Sequence, residues 1–184
     1  MPDSLLPIGP DYRIRFHADS DRFQHVIESR SGNSWVALWR SVEGTNVEHW
    51  PTSPPWQEIA EHQLGSTTCL LGVGKAGTAH WSISIDVTLP PAGSSSGDLP
   101  TDPRSAVRFD VACRTKELPK QLGSSYECRE TGGGEAGEWR VDEATTEACA
   151  DESSAWRCEP RGPRTAGELT TYRWIYYWSP PRSH

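Results

Sequence analysis

The sequence predicts an all-β domain, an antiparallel β-sandwich or partly closed β-barrel, with one short helix. Three observations lead there. The stretch His80-Trp81-Ser82-Ile83-Ser84-Ile85-Asp86-Val87-Thr88-Leu89 alternates polar and apolar residues without a miss, the period of a half-buried strand. Ala106 to Arg114 does the same. Around these two stretches, 16 Gly and 15 Pro punctuate many short alternating segments, and only one segment carries a helical period.

Composition sets the frame. A chain of 184 residues fits one β-rich domain spanning 1–184, with an acidic, loop-rich insertion near 127–165. Leu, Ile, Val and Phe number only 30, but nine Trp and five Tyr supply large apolar areas instead. A Trp-rich core is therefore expected. Between Glu127 and Glu159 stand ten acids and three Arg, which accounts for the whole net charge of −7. That segment reads as a solvated face, with a calcium site or a dock for a basic partner as the sharper options. The linear sequence has no basic stripe, so nucleic acid is not expected as a partner.

The first residues, Met1 to Pro7, lack a basic n-region and a long apolar core, so no signal peptide is expected. No apolar run approaches a membrane span. With five cysteines (Cys69, Cys113, Cys128, Cys149 and Cys158), an odd count without a signal predicts reduced thiols and a cytoplasmic setting.

The elements follow in order. Residues 1–10, with three Pro and Gly9, form an extended lead-in. Tyr12 to Phe16 alternates as a strand, and Asp19-Ser20-Asp21 is a turn. Arg22 to Arg30 and Ser34 to Val42 form a hairpin around Ser31-Gly32-Asn33. Phe23, His25 and Ile27 share one face of its first strand; Trp35, Ala37 and Trp39 share one face of the second. The helix follows. Ser53 serves as N-cap, Pro54 as N1, Gly65 as C′, and Trp56, Ile59, Ala60 and Leu64 form one stripe.

Thr67 to Val73 is a strand, and Gly74-Lys75-Ala76-Gly77 reads as a hairpin loop. It is no phosphate loop, because Lys75 is not followed by Ser or Thr and no helix comes after it. Pro90 to Arg104 is a linker, long for a hairpin connection. After the strand at Ala106 to Arg114 come short strands at Ser124 to Arg129, Glu138 to Val141 and Ser154 to Cys158. Thr131 to Gly134 is a turn, and Asp142 to Cys149 reads as one or two helical turns. Leu169 to Ser179 closes the chain. Tyr172, Trp174, Tyr176 and Trp178 lie on one face with Ile175 and Tyr177 on the other, which suits a central or barrel-closing strand.

The two long alternating strands nominate one surface. Paired antiparallel with Asp86 opposite Arg108, they set Ser84 against Asp110 and His80 against Arg114. One face then carries His80, Ser82, Ser84, Asp86, Arg108, Asp110 and Arg114; the other is core. Such a face either lies in solvent, stitched by cross-strand charge pairs, or lines a cleft for a small polar ligand held by Arg108 or Arg114.

The leading functional expectation is a non-enzymatic binding or interaction module. A hydrolase using His80 with neighbouring Ser and Asp is the alternative. Ser82 and His80 point the same way about 7 Å apart at Cα, but no Gly-x-Ser-x-Gly elbow is present. A third reading is an oligomeric structural protein with its aromatic C-terminal strand buried between subunits. The six His are scattered without HExxH spacing and no Cys-x-x-Cys occurs, so neither a metal nor a cofactor is expected. Sugar stacking on Trp is a further option. Trp35, Trp39, Trp81 and Trp174 are expected in the core, whereas Trp50, Trp56 and Trp178, beside prolines, are the ones expected at the surface.

Overall fold

The computed structural model describes residues 3–45, 47–65, 67–88, 106–129, 136–149 and 154–181. Thirteen strands build it: β1 (Ser4–Pro7), β2 (Tyr12–Asp19), β3 (Arg22–Ser31), β4 (Ser34–Ser41), β5 (Glu58–Leu64), β6 (Thr67–Ala76), β7 (Ala79–Thr88), β8 (Ala106–Thr115), β9 (Ser124–Cys128), β10 (Glu138–Val141), β11 (Thr146–Cys149), β12 (Ala155–Pro160) and β13 (Thr170–Ser179). Sheet A has the order β1-β2-β3-β4-β9-β12-β11 and sheet B the order β10-β13-β8-β7-β6-β5. Every pairing is antiparallel. The two sheets make a sandwich and do not close into a barrel. The linker at Pro90 to Arg104 and the turn at Thr131 to Gly134 lie outside the described residues.

The two alternating strands sit at the centre of sheet B as β7 and β8, in the register read from the sequence: Asp86 opposite Arg108, Ser84 opposite Asp110, His80 opposite Arg114. Their odd positions, Trp81, Ile83, Ile85, Phe109, Val111 and Cys113, are buried between the sheets. The last strand adds Tyr172, Trp174, Tyr176 and Trp178 to the same core. Several of these aromatics bond their polar atoms, although Trp139 Nε1 is buried without a partner. Trp174 Nε1 donates to Ser124 Oγ at 3.0 Å, and Trp39 and Trp178 both donate to the Ala136 carbonyl. The Tyr126 and Tyr176 hydroxyls lie 2.8 Å apart, and His25 Nε2 is 2.8 Å from Tyr126 Oη.

The helix is a correction. No helix occurs among the described residues, and its span holds an extended Ser53–Gln57 segment followed by β5. Partnering decides it: β5 completes seven backbone pairs with β6, whereas an isolated helix of ten residues is marginal in water. The bracketing signals had a second use. Gly65, at φ +66°, begins the tight turn into β6 rather than capping a helix. Trp56 is not on β5 at all but is 1% exposed in the core just before it. The Asp142 to Cys149 turns also shrink: one hydrogen-bonded turn leads directly into β11.

Three smaller corrections concern faces and loops. Ile27 pairs with Trp39 and Glu28 with Ala37, so Leu38 is an extra residue in β4. This β-bulge turns Leu38 and Trp39 into the core and leaves Trp35 and Ala37 on the outer face. Trp56 and Trp178 are buried rather than exposed, because each leads or ends an element that lies inside the sandwich. β6 continues through Lys75 and Ala76, so the hairpin turn contains only Gly77 and Thr78.

Candidate functional site

The outer face of sheet B is ruled into cross-strand rows by this register. Lys75 of β6, His80 of β7, Arg114 of β8 and Thr171 of β13 form one row. Val73, Ser82, Ala112 and Arg173 form the next, then Leu71, Ser84, Asp110 and Ile175, then Cys69, Asp86, Arg108 and Tyr177. All seven residues singled out from the sequence lie on this face, but they divide into two parts with different chemistry.

At one end the charges satisfy one another. Arg108 Nη2 donates to Asp110 Oδ2 at 2.5 Å and its Nη1 reaches Asp86 Oδ1 at 3.5 Å. Arg173 closes on Asp110 with two bonds, at 2.7 and 2.5 Å. The result is a chain Asp86–Arg108–Asp110–Arg173 of two acids and two bases. Burial pushes the Asp110 carboxyl up, but the Arg173 and Arg108 bonds outweigh it and hold it below the usual range. Burial raises Asp86, whose single long contact to Arg108 is too weak to compensate. Half-exposed pairs of this kind stabilise by about 0.5 kcal/mol each. Arg108 is thus occupied, and Ser84, half-buried between these charges, offers one hydroxyl.

At the other end the basic side chains are unpaired among the described residues. His80 and Arg114 are exposed, as is Lys75. None of the three side chains has a hydrogen bond or an ion pair among the described residues. Two strand spacings separate Lys75 from Arg114, about 10 Å at Cα. The row borders a depression of about 460 Å³ that Gln57, Glu58, Val73, Ser82 and Thr171 also line. His80 and Arg114 further line a second depression, of about 710 Å³, with Thr78, Lys116 and Glu117. There the Thr78 hydroxyl donates to the Glu117 carboxylate, so Glu117 has a partner already.

Ser82 shares the first depression with His80, but among the described residues no hydrogen bond joins them and no carboxylate hydrogen-bonds to His80. Lys75 and Arg173 are not among the residues that the sequence nominates. The first falls in the expected Gly74–Gly77 loop, whereas the two-residue turn at Gly77-Thr78 sets it against His80. The second alternates with Tyr172 and Trp174 and so faces out. Among the described residues no group of three or more His, Cys, Asp and Glu is placed to hold a metal ion. Nor is any helix there long and apolar enough to cross a membrane. No protein-family model, curated protein or solved structure matches this chain.

Proposed function

We propose that the protein is a non-enzymatic binding module that takes a small anionic ligand, a carboxylate or phosphate ester, at the Lys75–His80–Arg114 row. One observation carries the reading: three nitrogen-bearing side chains stand side by side on neighbouring strands, above a ligand-sized depression, and no carboxylate among the described residues is paired with any of them. Like charges set across a sheet are unfavourable unless something answers them. A guanidinium at one end supplies a bidentate fork for a carboxylate or phosphate, and the Lys75 ammonium reaches the other side of the same anion. The Ser82 and Thr171 hydroxyls would bind a polar tail. Pockets of about 300–1,000 Å³ suit such molecules. The five thiols, unbridged in the structure, agree with a cytoplasmic setting.

Isothermal titration with citrate and with glucose 6-phosphate tests this. Binding is expected to weaken about tenfold or more in Arg114→Ala and in Lys75→Ala, and to persist in Arg108→Ala, whose guanidinium is spent on Asp86 and Asp110. If Arg108→Ala abolishes binding while Arg114→Ala leaves it intact, the site has been assigned to the wrong end of the face. Turnover of an ester in the same assay, lost in His80→Ala, would favour the hydrolase instead.

A further inference from the structure

The outer face of sheet A has a charge pattern of its own, separate from the row on sheet B. Alternation along β2 places Arg13 and Arg15 outward, opposite Glu28 and Val26 of β3. Arg40 of β4 lies on the other side of Val26 and opposite Glu127 of β9. Arg157 of β12 stands opposite Ser125, two residues from Glu127 along β9. Arg129 follows Glu127 on the same side. Guanidinium groups from three strands and the adjoining Arg129 therefore collect on a protein whose net charge is −7. Their spacing in sequence hides this, because each comes from a different part of the chain.

The carboxylates on this face are already shared out. Glu28, only 6% exposed at its side chain, accepts from Arg13 at 2.6 Å and from Arg15 at 2.9 Å. Glu127 accepts from Arg129 at 2.5 Å, and Glu159 from Arg157 at 2.6 Å. Arg40 is left over: its side chain makes no hydrogen bond or ion pair among the described residues. Moreover, Arg40, Arg129 and Arg157 each bury an Nε–H that meets no acceptor. Buried polar groups without partners are uncommon in native proteins. The guanidiniums of Arg13, Arg15, Arg40, Arg129 and Arg157 thus share three carboxylates, Glu28, Glu127 and Glu159, and the excess positive charge at Arg40 is open to an anion from outside.

We propose that this face, centred on Arg40, docks an acidic peptide segment of a partner protein. The carboxylate is the anion that these guanidiniums already hold here, at Glu28, Glu127 and Glu159. A flat sheet face suits an extended chain, whose alternate side chains recur about every 7 Å, the same spacing as Arg13 and Arg15 along β2. Base stacking is poorly served. Trp35 is the one indole on the outer face near these arginines, and the Arg13 guanidinium lies 4.2 Å over its ring, so a nucleic-acid strand would find little aromatic surface.

The test is fluorescence anisotropy of the full chain with a labelled oligoglutamate at low ionic strength, run beside a labelled oligothymidylate. Saturable binding of the oligoglutamate is expected, weakened about tenfold in Arg40→Gln and further in an Arg40→Gln/Arg157→Gln double variant. Arg140→Gln, on β10 at the edge of sheet B, is expected to stay within about twofold of the wild type. Equal loss in Arg140→Gln, or no binding to the wild-type protein, overturns the proposal. Tighter binding of the oligothymidylate overturns the choice of an acidic peptide. Melting curves check that each variant folds. Should the double variant unfold, the Arg40→Gln result against Arg140→Gln decides alone, since Arg40 bonds to nothing among the described residues that its loss would orphan.

Discussion

At the scale of single residues, Glu43 and His25 set opposing pH dependences. Glu43 Oε1 accepts from the Ser41 hydroxyl at 2.5 Å, and Ser41 Oγ in turn accepts from the His25 backbone N–H. Glu43 Oε2 is buried with no partner. Burial lifts this carboxyl to about 7, against the lesser pull of the Ser41 bond and the Arg22 charge. Burial also drives the His25 imidazole down to about 3, helped by the His17 charge. Between about pH 4.5 and 7 the native state holds a proton on Glu43 that the unfolded chain has released, so stability falls as pH rises. His25 works the other way: as pH drops from 6.5 toward 3 the unfolded chain takes a proton that the native state refuses. The two slopes oppose each other from 4.5 to 6.5. Glu43→Gln removes one of them. Urea titrations should show the variant more stable than wild type at pH 8, by roughly 3 kcal/mol, and losing stability steadily below pH 6.5. Parallel curves for the two proteins would sink the assignment. The sequence could not nominate Glu43, because it lies beyond the end of β4, where no local pattern announces burial. His25 was legible as core from its alternation with Phe23 and Ile27.

At the scale of elements, the register of β7 and β8 was readable because ten unbroken alternations leave one arrangement that buries every apolar side chain. The Ser53–Leu64 segment was not. Its four apolar residues fit a helical stripe, and what outweighs that period is a contact made far away in sequence. A Cβ on Gly74 of β6 would lie 1.7 Å from the Pro55 carbonyl oxygen, so the Pro55–Trp56 backbone lies directly on β6. This close approach seats Trp56 in the core and delivers the chain to β5 as a strand, with Gln57 N–H bonding the Val73 carbonyl at 2.9 Å. Gly74→Ala should therefore expel the Pro55–Trp56 segment. The expected cost is about 3 kcal/mol or more, with loss of the near-ultraviolet signal of Trp56. Gly65→Ala is the comparison: it has a positive φ but open space around its Cβ position, so it should cost about 1 kcal/mol and leave that signal alone. Equal costs would mean that backbone conformation, not the Pro55 contact, is what Gly74 provides. The Leu38 bulge was hidden for a related reason. A single extra residue leaves composition unchanged while it turns Trp39 from the face of Trp35 into the core.

At the scale of the whole molecule, strand order was beyond the sequence because the aromatic strands are interchangeable by pattern. Tyr172 to Trp178 predicts a buried face but not which strand lies beside it. What fixes the sheets relative to each other at one end is the passage from β10, an edge of sheet B, to β11, an edge of sheet A. Two features hold that corner. Trp139 of β10 stacks on Trp156 of β12 with ring centroids 4.4 Å apart and planes 11° from parallel, so an indole of each sheet faces the other. Below it, the fully buried Thr146 stands in for a strand partner: its hydroxyl donates to the Ile175 carbonyl at 2.8 Å and accepts the Ile175 N–H at 2.7 Å. One side chain thus satisfies both backbone groups of a residue on β13, where the β10 ladder has ended. Thr146→Val keeps the shape and removes both bonds; the Ile175 carbonyl retains the Asp142 N–H at 2.9 Å, but the buried Ile175 N–H is left without a partner at about 1–3 kcal/mol. The expected destabilisation is therefore about 1–3 kcal/mol, with faster hydrogen exchange at the Ile175 amide, and Thr146→Ser should recover most of it. The aromatic stack remains in every one of these variants. If Thr146→Val proves neutral, the Trp139–Trp156 stack alone holds the two sheets together at this corner, and Trp139→Ala becomes the variant expected to part them.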